Sequence, residues 1–210
     1  MLSLNEYLRN PCGLTSIPYW KYKSITVPCN MSIVHDKDFS KESYTNYNDE
    51  QFFRLYHDMK NINPIISEEI DIVKCEPHMI YEFVRLINES YIDLTVTLSQ
   101  IGSYCKTPVY CPELWIFLKD KKSNIIIGGG IGDYDKEVGE MILEWVQVLP
   151  EYRRRGYGQI IVNHMLSKMK GIAHFATVSG KVNNPNHPEK LYRKCGFKGN
   201  DVWHILTKAE

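Results

Sequence analysis

Three of the seven arginines of the chain, Arg153 to Arg155, stand side by side just before the letters GYG. An apolar run typical of a strand precedes them, and apolar spacing typical of a helix follows from about Gly156 to Lys170. The first turn of a helix presents N–H groups without intrahelical partners and the positive end of the helix dipole. Gly156 and Gly158 let a phosphate approach the backbone, and arginines donate charge-assisted hydrogen bonds. These residues predict an anion site that suits a pyrophosphate.

Two familiar phosphate-binding loops do not fit the sequence. The pattern GxxxxGK[ST] is absent, and the run Gly128 to Gly130 lacks the GxGxxG spacing and comes before another strand instead of a helix. We interpret these three glycines as part of a bulged strand. For the arginines the alternative is a turn that simply faces water, and the three residues alone do not decide between the two interpretations.

Two stretches of the sequence together resemble one protein family. The stretch VLPEYRRRGYGQIIVNHML is similar to the acyl-CoA-binding motif of the GNAT superfamily of N-acetyltransferases, with Arg153, Gly156 and Gly158 at the motif positions. The later stretch NNPNHPEKLYRKCGF, which ends at Phe197, resembles the second motif of the family. The order of strands and helices from about Glu68 onward also fits, so the resemblance covers most of the chain.

The resemblance implies acetyl-CoA as the acyl donor. The backbone around Val146 to Val148 would pair with the pantetheine arm, and the turn after it would bind the pyrophosphate. The family usually has an asparagine seven residues before the tyrosine of its second motif, but Pro185 stands there, so Asn183, Asn184 and Asn186 are alternatives for the loop contact. The residues predicted to contact the cofactor are Val146, Gln147, Val148, Arg153, Arg154, Arg155, Gly156, Tyr157, Gly158, Gln159, Asn183, Asn184 and Tyr192.

Direct acetyl transfer to an amine needs a neutral amine, a donor for the developing oxyanion and a proton for the thiolate that leaves. Tyr192 stands where similar enzymes supply this proton, and its alternative role is to pack a short helix against the sheet. The N–H of Val148 is the predicted oxyanion donor. Glu144 lies four residues earlier, so strand alternation places both side chains on one face. It either binds or deprotonates the amine or is an ordinary exposed carboxylate.

A mixed α+β fold of the GNAT type is also implied: a central mixed, mostly antiparallel sheet, splayed between its strands 4 and 5 and flanked by helices. Residues 68–210 would form the acetyltransferase domain, and residues 1–67 an ordered, aromatic-rich N-terminal extension packed on it. The apolar runs at 114–119, 125–134 and 140–149 predict a three-stranded meander, because the links between them are short and polar.

Four carboxylates lie around the last hairpin of this meander: Asp133, Asp135, Glu137 and Glu140. We interpret them as a solvated hairpin tip. The alternative is that they attract a cationic amine substrate toward the site.

Composition limits the function further. Lysine plus arginine and aspartate plus glutamate both number 25, so neither nucleic acid nor an anionic membrane is a predicted partner. The six cysteines contain no CxxC pair and the histidines no paired metal spacing, which predicts reduced thiols, a cytoplasmic protein and no metal. The amino terminus lacks the apolar core of a signal peptide, and no segment reaches ~20 consecutive apolar residues.

The sequence therefore predicts an acetyl-CoA-dependent N-acetyltransferase that moves an acetyl, or longer acyl, group from CoA directly to a primary amine. The alternative is a GNAT-fold module that senses CoA or binds a partner and has lost the chemistry. The acceptor is predicted only as a small-molecule or peptide amine, and a homodimer is left open.

Overall fold

Residues 2–91 and 94–209, the part of the chain that the computed structural model describes, form a mixture of strands and α-helices. In chain order the elements are α1 (Leu4–Arg9), α2 (Tyr19–Ser24), β1 (Met31–His35), β2 (Tyr47–His57), β3 (Ile70–Lys74), α3 (Ile80–Ser90), α4 (Leu98–Tyr104), β4 (Ile116–Asp120), β5 (Ile126–Asp135), β6 (Glu140–Val148), α5 (Tyr157–Met169), β7 (Phe175–Lys181), α6 (Pro188–Lys194) and β8 (Lys198–Lys208). This mixture confirms the predicted α+β class. No helix in the described part is long and apolar enough to cross a membrane.

The contacts of the chain define two compact units. One comprises Met1–Asp58 and Thr177–Glu210, and the other comprises Met59–Ala176. The division into an extension of residues 1–67 and an acetyltransferase domain of residues 68–210 stays a prediction, as does the splay between the fourth and fifth strands of that domain.

The central unit, Met59–Ala176, contains strands in the order β6-β5-β4-β3, each antiparallel to its neighbour. The predicted meander is therefore confirmed. Polar residues occupy the links, and the strands alternate or are wholly apolar, as strands covered by helices should be. The chain leaves β6 through a short 3₁₀ turn, Pro150–Tyr152, and enters α5.

The glycine run of β5 explains how helices cover both faces of this sheet. A Cβ on Gly129 would lie 3.0 Å from the Phe83 ring of α3, whereas a Cβ on Gly130 would lie 2.5 Å from the sulfur of Met165 in α5. Successive strand residues face opposite sides, so α3 and α5 lie on opposite faces and pack closer than side chains would allow. The register also shifts in β5, which confirms the bulged-strand interpretation.

The terminal unit, Met1–Asp58 with Thr177–Glu210, contains β1, β8, β2 and all but the first two residues of β7, in that order, with β8 antiparallel to both β1 and β2. The segment MSIVH forms β1, whereas the similar apolar segment SITVP, residues 24–28, forms no strand. The aromatic residues of the amino-terminal segment are used in packing: Tyr7 is fully buried, and the indole N–H of Trp203 donates to the carbonyl of Cys12 at 2.8 Å.

Three of the four carboxylates of the β5–β6 hairpin are buried, so the interpretation of a solvated hairpin tip was wrong. Asp133 and Glu140 are fully buried and Asp135 is 4% exposed, while only Glu137 of the four is exposed. The segment before β4 covers this end of the sheet, because Tyr110 forms a β-bridge with Asp133. This cover comes from a distant part of the sequence, and local patterning does not reveal it.

Candidate functional site

The end of β6 presents alternate backbone groups to opposite sides of the strand. The N–H of Leu149 donates to the carbonyl of Ile127 at 2.9 Å, so Leu149 is bonded to the β5 side and the preceding residue, Val148, is not. By the same alternation the backbone groups of Val146 point away from β5 and those of Gln147 point toward it. Val146 and Val148 thus direct their backbone groups to the side of β6 away from β5, the side on which an extended ligand would pair.

Arg153, the first of the three arginines, is bound to its own chain. Its Nε donates to the carbonyl of Val148 at 3.0 Å, and a terminal nitrogen donates to the carbonyl of Ser90, the last residue of α3, at 2.5 Å. One guanidinium therefore connects the end of β6 to the end of α3. Arg153 fixes the geometry of the strand end that leads into the turn.

Arg154 and Arg155 lie at the surface of the turn and are exposed. Arg154 has a φ of +63°, in the left-handed region, where a residue with a Cβ loses about 1 kcal/mol. Arg155 donates to the carbonyl of Glu151 at 3.2 Å and lies 5.5 Å from the ring centroid of Tyr152. The turn thus concentrates positive charge directly before the amino end of α5.

Gly156, the N-cap of α5, leaves open space over the helix amino end. It has a φ of +84°, and apart from Gly156 and its two chain neighbours no described residue has an atom within 4 Å of the position that its Cβ would occupy. It has no side chain to accept hydrogen bonds from the N–H groups of Tyr157 and Gly158 in the first turn. Backbone N–H groups, the helix dipole and adjacent guanidinium groups converge on open space, which is the arrangement that binds anions.

Glu144 lies at a β-bulge. The register of the β5–β6 pair shifts between Ile131 and Gly132, and Glu144 has no counterpart on β5. The two-residue alternation that predicted a shared face for Glu144 and Val148 does not extend across this shift. Glu144 is half-buried, so it is not the fully exposed carboxylate of the alternative interpretation.

The remaining predicted residues belong to the terminal unit. Tyr192, on α6, is 7% exposed, and its ring centroid lies 6.2 Å from that of Phe53 and 5.9 Å from that of Phe197. Packing is therefore one role of this tyrosine. In the loop before α6, Asn183 is exposed, whereas the Oδ1 of Asn184 accepts a hydrogen bond from the N–H of Asn186 at 2.9 Å.

Two thiols and one phenol at the hydrophobic core of the central unit stay protonated near neutral pH. Burial raises the pKa of Cys75 to about 12 and that of Tyr110 to about 12. Burial also raises the pKa of Cys105, and the charge of Asp133 adds to the effect. A thiol must lose its proton to act as a nucleophile. Neither Cys75 nor Cys105 is therefore suited to carry an acyl group.

The sequence did not predict that two polar side chains beside β6, those of Gln147 and Ser90, are buried. Gln147 was predicted to contact the cofactor because of its position on the strand, but its side chain is 3% exposed and Ser90 is 5% exposed. The only sequence signal was a polar residue within the apolar run of β6. Among the described residues, no group of three or more histidine, cysteine, aspartate or glutamate side chains could hold a metal ion. The exclusion of a metal stays a prediction.

The family model "Acetyltransferase (GNAT) domain" matches residues 112–199, which include β4 to α6, the arginine turn and Tyr192. This segment belongs to the GNAT acetyltransferase family. The match spans less than half of the chain, but it contains every residue predicted to contact the cofactor. No curated protein sequence matches the chain.

Solved structures of GNAT proteins share the fold. A GCN5-related N-acetyltransferase from Sphaerobacter thermophilus superposes with a TM-score of 0.69 at 16% identity, over 86% of this chain and 61% of that one. A GNAT-family acetyltransferase from Colwellia psychrerythraea gives 0.61 at 11% identity, over 90% and 69%. The ribosomal-protein-S18-alanine N-acetyltransferase from Escherichia coli gives 0.52 at 15% identity, over 67% and 95%. The chain thus spans less than two thirds of the Sphaerobacter protein.

The open turn of this GNAT domain fits the acyl-CoA that the family uses. A pyrophosphate carries the negative charge that the amino end of α5 and the guanidinium groups attract. A Cβ at Gly156 would project into this open space, and glycine has none. The residues of the turn that would hold this group are Arg154, Arg155, Gly156, Tyr157, Gly158 and Gln159.

Proposed function

We propose that the chain is an acetyl-CoA-dependent N-acetyltransferase that moves an acetyl group directly to a primary amine. The observation that carries the proposal is the open, left-handed turn at Gly156, because a pyrophosphate needs reachable N–H groups with positive charge beside them. The outward backbone groups of Val146 and Val148 support it, since a pantetheine arm also consists of amides that pair with an extended strand.

Each residue of the site then has a defined task. Acetyl-CoA supplies the acetyl thioester. The N–H of Val148 donates a hydrogen bond to the acyl oxygen as negative charge develops there. Glu144 binds the amine or accepts its proton through water, and for Tyr192 we propose the role that the resemblance implies, proton donor to the thiolate that leaves. Asn183 and Asn184 add contacts to the cofactor.

The proposal extends to the acceptor and the location. The Escherichia coli relative is named for an alanine of a ribosomal protein. For this chain we propose a small-molecule or peptide amine as the acceptor, a cytoplasmic location, and neither nucleic acid nor a membrane as partner. A homodimer stays a prediction.

Isothermal titration of the purified chain with acetyl-CoA tests the cofactor site. We expect a Kd in the micromolar range, and a loss of about tenfold or more in affinity for Arg154→Glu and for Gly156→Asp, because each places negative charge at the pyrophosphate. Arg9→Glu is the matched control, since Arg9 is an exposed arginine on α1 of the terminal unit. Equal affinity for all four proteins would contradict the assignment of the turn.

The burial of Tyr192 against Phe53 and Phe197 favours a second candidate, a module that binds CoA without chemistry. Release of free thiol from acetyl-CoA in the presence of a panel of primary amines separates the two. Thiol release that needs both an amine and an intact turn supports the transferase. Tight acetyl-CoA binding without thiol release with any amine supports the silent module.

A further inference from the structure

The side-chain amide of Gln147 is buried and unpaired. Gln147 is 3% exposed, and neither its Nε2 nor its Oε1 has a hydrogen-bond partner among the described residues. An amide removed from water without a partner destabilises the folded chain, and such groups are uncommon in native proteins. The group stands between Val146 and Val148, the residues whose backbone faces the proposed cofactor. A ligand partner would explain why this position is not apolar.

The sheet geometry shows which face carries this amide. Gln147 pairs with Gly129 of β5, and cross-strand partners share a face. A Cβ on Gly129 would lie 3.0 Å from Phe83 and 3.1 Å from Phe117, so this face is the one that α3 covers. Trp145 lies two residues before Gln147 and shares that face. The amide thus points into aromatic surroundings, where its own chain offers little to bond with.

A second unpaired group, the hydroxyl of Ser90, lies at the carboxyl end of α3, the helix that covers this face. Ser90 is 5% exposed, and its Oγ also lacks a partner among the described residues. Its carbonyl and the carbonyl of Val148 are held by the single guanidinium of Arg153, so Ser90 lies close to the proposed oxyanion donor. The next residue, Tyr91, has its ring centroid 6.1 Å from that of Trp145. We call Ser90, Tyr91, Trp145 and Gln147 the amide cluster.

The chemistry of an amide restricts what can pair with it. An ammonium group satisfies only Oε1 and a carboxylate only Nε2, so either leaves half of the buried group unpaired. An extended peptide presents the N–H and C=O of one residue on the same side, as two hydrogen-bonded strand residues do for each other. A primary amide presents the same pair of groups. A ligand with an amide therefore satisfies both atoms of Gln147.

We propose that Gln147 is a specificity residue that binds an amide of the acceptor, and that the acceptor is an amine with an amide next to it: a peptide amino terminus or an amino-acid amide. This inference rests on the proposed function and adds the substrate class. The hydroxyl of Ser90 donates or accepts a further hydrogen bond. Tyr91 and Trp145 flank the apolar side chain that such an acceptor carries.

Three acceptors that share one side chain test the proposal: leucyl-glycyl-glycine, leucinamide and isopentylamine, which has no amide. Thiol release from acetyl-CoA gives kcat/KM for each. We expect the wild type to prefer both amide-bearing acceptors by about tenfold or more, because a site with buried polar groups rejects analogues that leave them unpaired. The ratio of tripeptide to leucinamide then separates a peptide substrate from a free amino-acid amide.

Gln147→Leu removes the amide at nearly constant volume. We expect kcat/KM for both amide-bearing acceptors to fall by about 10- to 100-fold, with isopentylamine and the KM for acetyl-CoA unchanged. Gln51→Leu, the same change on β2 in the terminal unit, is the control and keeps the preference. Gln147→Glu, which loses the N–H donors but keeps the shape, reduces use of the amide-bearing acceptors as well.

The free protein gives a result that does not depend on activity. If no group of the chain uses the amide, Gln147→Leu should raise the Tm by about 2–4 °C, because an unpaired buried amide is replaced by an apolar side chain. A structural role for Gln147 would instead lower the Tm.

Two results would overturn the inference: an equal loss for all three acceptors in Gln147→Leu, or no loss for any. If acetyl-CoA binds but no amine releases thiol, the proposed function fails by itself. Titration of the CoA-loaded chain with leucyl-glycyl-glycine then decides the inference separately. Binding that Gln147→Leu loses supports the proposed role of Gln147, and binding that is absent or unaffected by the substitution rejects it.

Discussion

Two arginines, one in each unit, show how surroundings give one residue type different roles. Arg54 of β2 is 2% exposed, and its guanidinium donates to the carbonyl groups of Pro11 and Ser16. Arg154 is exposed, lies in the left-handed backbone region, and its side chain forms no hydrogen bond or ion pair with the described residues. A guanidinium whose donors are used internally contributes to folding. One that stands beside an open helix end can bind a ligand.

The largest expected effect comes from removing the buried guanidinium. Arg54→Met should lower the free energy of unfolding by about 3 kcal/mol, because buried carbonyls and the hydroxyls of Tyr7 and Thr177 lose their donor. Urea denaturation measures the change. Arg154→Met is the matched variant and should stay within about 0.5 kcal/mol of wild type. Equal stability of the two variants would break the comparison.

The comparison is sharper within the arginine turn itself. Arg153→Met should lower the free energy of unfolding by about 2 kcal/mol, because the carbonyls of Val148 and Ser90 both lose a charged donor. Arg154→Met should leave stability nearly unchanged and weaken acetyl-CoA binding by severalfold. Denaturation and titration on the same preparations provide both readings. The distinction fails if Arg153→Met is as stable as wild type and changes only the affinity.

His57 is buried, and burial disfavours the positively charged form of its side chain. Burial lowers the pKa of His57, and the charge of Asp58 offsets this effect only in part. At acid pH the unfolded chain therefore binds more protons at His57 than the folded chain does. The stabilisation is complete above about pH 6.5, the ordinary value, and is lost as the pH falls from there through the folded value. The loss is at most about 1.4 kcal/mol per pH unit for one group.

Denaturation between pH 8 and pH 5 tests this dependence. His57→Gln should lose less stability than wild type over that interval, although it starts from a lower value. His78→Gln, at an exposed histidine, is the control and should follow the wild-type slope. Parallel curves of stability against pH for all three proteins would show that His57 does not cause the loss of stability at acid pH.

The central strands could be predicted from the sequence because their signals are local. The run predicted at 140–149 is β6, Glu140–Val148, and the helix predicted from about Gly156 is α5, which begins at Tyr157. Alternating or continuous apolar residues between short polar links need no distant partner to be recognised. The turn at Arg153–Arg155 was also located, because glycines between an apolar strand and an apolar helix mark a turn locally, and its role as an anion site stays a prediction.

The features that were missed depend on residues far along the chain. β2, Tyr47–His57, begins with exposed polar residues and is a strand because it pairs with β8, some 150 residues later. The buried hairpin carboxylates depend on the cover that Tyr110 provides. Which of the three arginines is internal depends on Ser90 of α3. Local patterns carry no record of these partners, so only the fold reveals them.

The smallest expected effect comes from an exposed ion pair, which gives the lower end of the comparison. Lys181 Nζ lies 2.5 Å from Glu50 Oε1, with the side chains 47% and 55% exposed. Water and salt screen such a pair, and holding two long side chains in place costs conformational entropy. A double-mutant cycle with Lys181→Met and Glu50→Gln should give a coupling below about 0.5 kcal/mol that decreases in high salt. A coupling as large as the loss in Arg54→Met would contradict the comparison, since a cation buried among neutral oxygens should contribute more than one beside an exposed carboxylate.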